Sequence, residues 1–318
     1  MLAGVLVAAS FAASAQESKK KKIYRIDCIQ GGPLTPRAHQ WAAFRRGLRE
    51  LGHLEGDNIA LEFREPKEGI AADDLIADLI KLEVDVIVAS TAIHVHSARR
   101  ATKTIPIAMT GLTDPVAAGV VTNLARPDGN VTGLSFLPVE LVGKRLELML
   151  ELLPKSKRIA MLWNPNDPVP QLKAATAAGQ KAGVEIVSVE ARAAKNLGPA
   201  IETVRSRGAD GLIIATSGLF YGLRDQILDL LQKAKLPAIW GWESFGAFGA
   251  LLVYGPSDTD NYHRAATYVD RLLKGARPGD LPIEQPTQVK LVVNLRAARS
   301  LSIEIPKSLL VRADHVIK

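Results

Sequence analysis

The chain has 318 residues, 47% of them hydrophobic and 23% charged, enough to bury two substantial cores and incompatible with a disordered or fibrous polymer. Its 40 Lys and Arg stand among 33 Asp and Glu, for a net charge of +7. No helical pattern carries a continuous basic face, so nucleic acid is not an expected partner.

Residues Met1 to Ala15 form an uncharged apolar stretch ending in Ala13-Ser14-Ala15, the small-residue pattern of signal-peptidase cleavage. A secretory signal peptide over 1–15, cut before Gln16, is therefore expected, followed by a solvated basic leader over 16–22 that includes Lys19 to Lys22. Nothing later is apolar for the about 20 residues that a membrane-spanning helix needs, so the mature chain is expected to be a soluble periplasmic protein. Cys28 is the single cysteine, which excludes an internal disulfide; its place inside the first expected strand argues against a lipid anchor.

From Ile23 onward, short apolar runs alternate with helical patterns. A strand over Ile23–Ile29 leads through Gly31-Gly32-Pro33 into a helix over Pro36–Leu51, with Trp41, Phe44, Leu48 and Leu51 on one face at three- and four-residue steps. Ile59–Phe63 reads as a strand, Ala71–Leu82 as a helix with Leu75, Leu79 and Leu82 inward, and Val84–Ala89 as a β-branched strand. A strand over Ile105–Met109 precedes an expected helix start at Asp114-Pro115, where Asp can accept free amide protons and Pro suits the first helical position. After the strand Val131–Phe136 the order restarts with helix Val139–Leu153, strand Arg158–Trp163, helix Leu172–Ala182, strand Val184–Val189, helix Leu197–Arg207 and strand Gly211–Ala215. Such units imply parallel sheets covered on both faces. Val84-Asp85 leading to Ala89-Ser90 is echoed by Ala209-Asp210 leading to Ala215-Thr216, one residue longer, and this repetition points to two equivalent Rossmann-like lobes.

Open parallel sheets bind ligands beyond the carboxyl ends of their strands, so the informative residues follow each strand. In the first lobe these include Gln30, Gly32, Ser90, Thr91, Ala92, Thr110 and Asp114; in the second, Asn164, Thr216, Ser217, Trp240 and Glu243. Ser90-Thr91 at a helix start offers two hydroxyls and backbone amides to one anion, or simply a cap. Asp114 before Pro is a cap on structural grounds, whereas an amine-binding role needs its carboxylate free. Trp240 and Trp242 flank Gly241 at a strand end, so at most one points into a given space; Trp240 suits either a stacking wall or lobe packing. Glu243 can meet a cation or start the next helix. His94 and His96, two apart on a helix, face different ways and suggest no metal site. Neither a Gly-x-Ser-x-Gly turn nor a dinucleotide or Walker loop is present, so no catalytic residue and no cofactor are expected.

Several segments together carry a likeness: Phe44-Arg45-Arg46-Gly47-Leu48, Thr104-Ile105-Pro106-Ile107, Thr113-Asp114-Pro115-Val116, Asn130-Val131-Thr132-Gly133-Leu134, Leu281-Pro282-Ile283-Glu284-Gln285-Pro286 and Leu309-Leu310-Val311-Arg312-Ala313-Asp314. In order and over nearly the whole mature chain, they resemble the substrate-binding proteins of ABC transporters that include the tryptophan-type receptors. The resemblance implies a periplasmic-binding-protein fold of the first type, α/β, with three crossovers between lobes. Lobe 1 would take 23–133 plus 255–287, and lobe 2 would take 134–254 plus 288–318. It further implies a monomeric receptor that closes about crossings near Gly133, Gly255 and Gln285 on an amino acid or other small carboxylate. The receptor would then serve an ABC permease in the inner membrane. Relatives of this family place a Ser/Thr-rich turn where Ser90-Thr91 stands and a Thr-Asp-Pro-Val segment where Thr113 to Val116 stands, which favours ligand contact at both. A ligand sensor that regulates a partner, or an enzyme on the same scaffold, is the competing expectation.

Overall fold

A computed structural model describes residues 22–31, 37–65, 71–136, 139–167 and 170–318. The expected signal peptide, its cleavage site and Gly32 lie outside the described residues. In the first lobe, β1 (Tyr24–Ile29), α1 (Ala38–Glu50), β2 (Ile59–Arg64), α2 (Ala72–Lys81), β3 (Val86–Ala89), α3 (Ala92–Ala101), β4 (Ile107–Leu112) and β5 (Val131–Ser135) follow one another. Their strands form a parallel sheet in the order β2-β1-β3-β4-β5. Every residue of β3 is buried, because helices cover both faces and an uninterrupted β-branched run satisfies both. Trp41, Phe44 and Leu48 are the buried stripe of α1.

The second lobe begins with α4 (Val142–Leu152), β6 (Arg158–Trp163), α5 (Gln171–Ala182), β7 (Glu185–Glu190), α6 (Leu197–Ser206) and β8 (Gly211–Ile214). The short α7 (Gly218–Gly222), then α8 (Arg224–Ala234), β9 (Ala238–Trp240) and β10 (Leu252–Pro256), bring the chain back to the lobe boundary. There α9 (Asp258–Leu273) crosses to the first lobe and packs along α1 so closely that a Cβ on Gly47 would stand 2.5 Å from the His263 carbonyl oxygen. Residue Glu284 pairs with Leu134 at the edge of the first sheet, and β11 (Val289–Asn294), α10 (Leu295–Leu301), α11 (Lys307–Arg312) and β12 (His315–Ile317) complete the second lobe. Its sheet runs β12-β11-β10-β9-β8-β6-β7, with β10 and β11 antiparallel. The chain thus passes between the lobes three times: from β5 to α4, from β10 to α9, and from Glu284 to β11.

The repetition extends to hydrogen bonding. Asp85 N donates to Arg25 O and Ser90 N to Ile29 O, just as Asp210 N donates to Arg158 O and Ala215 N to Leu162 O. The two strands are therefore equal in length, and the extra residue of the second copy sits after the strand, before the cap Ser217. Three expectations fail locally. No helix begins at Asp114-Pro115: residues 114–120 form turns, ended by Gly119 in the left-handed region at φ +66. Leu51 and Leu82 are 38% and 42% exposed, because both lie past the last helical residue, where the 3.6-residue period no longer directs them. Ile76 takes the buried place beside Leu79.

Candidate functional site

A cleft of about 290 Å³ opens between the lobes at the carboxyl ends of both sheets. Its first-lobe wall is built on the start of α3. Thr91 caps that helix, its Oγ1 accepting from His94 N at 3.5 Å and lying 2.7 Å from His94 Nδ1. The imidazole is buried, and burial lowers its pKa to about 4, so it is neutral at physiological pH and serves to orient the hydroxyl. Ser90 Oγ accepts from Gly31 N at 3.3 Å. Both hydroxyls and Ala92 and Ile93 border the cleft, where amides of the first helical turn have no intrahelical acceptor and the helix end is partly positive.

The second-lobe wall carries the opposite charge. Asp167, in the loop after β6, receives hydrogen bonds from Ser217 and Asn164. Its Oδ2 is buried without a partner, and burial raises its pKa. Between the two polar walls stand rings: Trp242 lies edge-on to Tyr221 at 5.2 Å and to Phe136 at 6.3 Å. The Arg37 guanidinium sits 4.3 Å from the Tyr221 ring centre and donates to Gly218 O at 3.5 Å, reaching from the first lobe to the second. The cleft is therefore bordered by a helix end suited to an anion, by Asp167 with one carboxylate oxygen buried and unpartnered, and by aromatic walls.

Residues 37–317 match the family described as ABC transporter substrate binding protein. The chain belongs to that family. A curated relative, the tyrosine-binding protein of Clostridioides difficile, is 27% identical over 292 residues, 91% of this chain and 83% of the relative. A crystal structure of a conserved domain protein from Vibrio cholerae superposes with a TM-score of 0.85 at 26% identity, covering 92% of this chain and 99% of the other. A Streptococcus pneumoniae ABC domain in complex with L-Trp gives 0.84 at 24% identity, covering 93% and 100%. The fold is that of the periplasmic binding proteins of the first type.

In this substrate-binding protein, Ser90, Thr91, Ala92 and Asp114 line the cleft. One Asp114 oxygen is committed to the amides of Val116 and Ala117 at 3.0 and 2.9 Å, so it acts as a cap there. Gln30 lies beneath the wall, its Oε1 accepting from Trp41 Nε1 at 2.6 Å; Trp41 in turn packs edge-on at 4.9 Å against Tyr262, which reaches the cleft. Thr110 is buried one residue before the cleft-lining Gly111, its hydroxyl unpartnered. Asn164 and Ser217 support Asp167. Thr216 is held inside the second lobe by Gln171 and by Arg145 Nη1 at 3.3 Å.

Gln30, Thr110, Asn164, Thr216 and Ser217 thus lie behind the lining, and Trp240 and Glu243 lie elsewhere. Trp240, the last residue of β9, packs against Phe245 at 4.8 Å and lines a separate cavity within the second lobe, while Glu243 pairs with His315 at 3.3 Å. The chain bends after Trp240, so Trp242 is the tryptophan that faces the cleft. Sequence reading missed Asp167, Arg37, Tyr221 and Phe136. Asp167 stands three residues beyond Asn164 in the loop after β6, and Tyr221 lies four residues after Ser217, on the same helical face. No comparable signal marks Arg37.

Proposed function

We propose that this protein is the extracytoplasmic receptor of an ABC importer and that it binds an α-amino acid with an aromatic side chain. One observation carries the reading: the hydroxyl-capped start of α3 and Asp167, one of whose carboxylate oxygens is buried without a partner, line the same aromatic-walled cleft from different lobes. A carboxylate suits the helix end and its hydroxyls, and an ammonium suits the buried carboxylate oxygen, whose desolvation is otherwise uncompensated. The volume of about 290 Å³ lies at the small end of ligand pockets, which favours a single amino acid over a peptide. The name of the C. difficile relative points the same way.

Ligand charges divided between the walls make closure depend on the ligand. A molecule bound to one lobe gains its second set of contacts only when the other lobe arrives, so it binds the closed form better and shifts the population towards it. The permease then reads the closed form. In this reading the chain acts as a monomer without cofactor, catalysis or nucleic acid. Lobe 1 comprises 23–135 plus 257–287 and lobe 2 comprises 136–256 plus 288–318, two residues from the expected bounds because β5 ends at Ser135 and β10 at Pro256, and the signal peptide leaves after Ala15. Titration calorimetry with L-Tyr, L-Trp and L-Phe, beside their deaminated and decarboxylated analogues, is the test. The expected result is binding of at least one amino acid, loss of most affinity in both analogues, and recovery of the ligand unchanged. Equal affinity for the deaminated acid, or turnover of the ligand, would end the proposal.

A further inference from the structure

Asp258 opens α9 at the middle crossing and is wholly buried. Its Oδ2 collects donors from both lobes. From α1 of the first lobe come Gln40 Nε2 at 2.7 Å and His39 Nε2 at 3.5 Å; from the second come Tyr221 OH at 2.8 Å and Ser244 Oγ at 2.9 Å. The phenol oxygen also lies 3.2 Å from His39 Nε2. Burial by itself would push the carboxyl up, but the hydrogen bonds from His39, Tyr221 and Ser244 outweigh it and hold Asp258 below the usual range. The first turn of α9 adds the positive end of its dipole. The carboxylate is thus charged, dry and shared between two bodies.

We infer that Asp258 is an interlobe latch, the residue that sets how long the two lobes stay together once Tyr221 has been brought to the cleft. The inference rests on the receptor reading above for its ligand, but the contacts themselves need no ligand. Tyr221 presents one side to the cleft and to Arg37, and its hydroxyl to Asp258. A guest packed on that ring is therefore one side chain away from the crossing, and separating the lobes takes Tyr221 and Ser244 from the carboxylate together. Because opening exchanges these bonds for water, each contributes modestly. Such a latch tunes the lifetime of the closed form, with or without ligand.

The test uses Ser244→Ala and His39→Gln, neither of which lines the cleft, with Asp258→Asn as the stronger variant. Small-angle scattering of the ligand-free proteins and stopped-flow dissociation of the amino acid found by calorimetry are compared with the unaltered chain. Dissociation about tenfold faster in the variants, or a larger radius of gyration in the ligand-free variants, supports the latch. Unchanged radii together with unchanged dissociation overturn it. Should Asp258→Asn fail to fold, the two partner variants carry the decision. Should no amino acid bind, the receptor reading fails and the scattering comparison alone decides the latch: equal radii refute it.

Discussion

At Asp167 the proposed site rests on a single buried oxygen without a partner. A buried carboxylate with one oxygen unpartnered destabilises the empty protein and is compensated when a cation arrives. The direction of its pKa makes a prediction. Because burial raises it, protonation begins above the ordinary Asp value of about 3.9, and affinity for an ammonium-bearing ligand should be full near neutrality and fall as the pH drops through the raised value. Asp167→Asn should remove that acid limb and reduce affinity at pH 7 about tenfold or more, without lowering the melting temperature of the empty protein, since it removes a desolvated charge. Calorimetry over pH, paired with thermal melts, reads both. The two histidines have ordinary explanations at this scale: His94 positions Thr91, and His96 Nε2 lies 2.8 Å from the Ala118 carbonyl oxygen, securing the turn after β4.

Where strands end and crossings begin, backbone proximity sets the limits. Arg145 of α4 is buried beneath this region, its Nε donating to Tyr254 O at 2.8 Å and its Nη2 to Gly241 O at 3.5 Å. Burial lowers its pKa to about 10, so it remains charged and gathers β9, β10 and Thr216. Gly255 lies against the same strand end, and a Cβ there would stand 1.8 Å from the Gly241 carbonyl oxygen. Neither is flexible, so Gly255→Ala must move one strand away from the other. It should destabilise by about 2 kcal/mol or more, seen as a lower urea midpoint. Gly198 in α6 has open space around its Cβ position, and alanine there should be neutral or stabilising by about 0.5 kcal/mol; the contrast separates crowding from helix propensity. Gly133 belongs with Gly255, since at φ +128 it lets β5 pass the Met109 backbone, where a Cβ would lie 2.3 Å from the carbonyl oxygen.

For the molecule as a whole, the proposed function depends on two bodies joined by three short crossings and bridged by few side chains. Arg37 reaches Gly218, His39 meets Phe248 edge-on at 5.6 Å, and Asp258 joins Tyr221 and Ser244. Few such contacts permit hinge motion, because each lobe keeps its own apolar core. Saturating ligand should therefore contract the small-angle scattering profile, and an unchanged profile would argue against closure. Among the described residues no helix is long and apolar enough to cross a membrane.

The alternation of apolar runs and helical stripes was enough to announce two parallel-sheet lobes, since strands buried on both faces must be apolar throughout and their covering helices on one side. Ser90 and Thr91 were legible for the same local reason: they follow a strand and start a helix. Asp167, Tyr221, Trp242 and Arg37 became a site only when the lobes faced one another, because their neighbours come from distant parts of the chain. The helix expected at Asp114 was lost to a glycine five residues on, and Trp240 turned inward because its strand ended there. Local periodicity determines which residues a strand or helix buries; which polar atoms remain without partners, and what they face, is decided by packing between segments that the linear order keeps far apart.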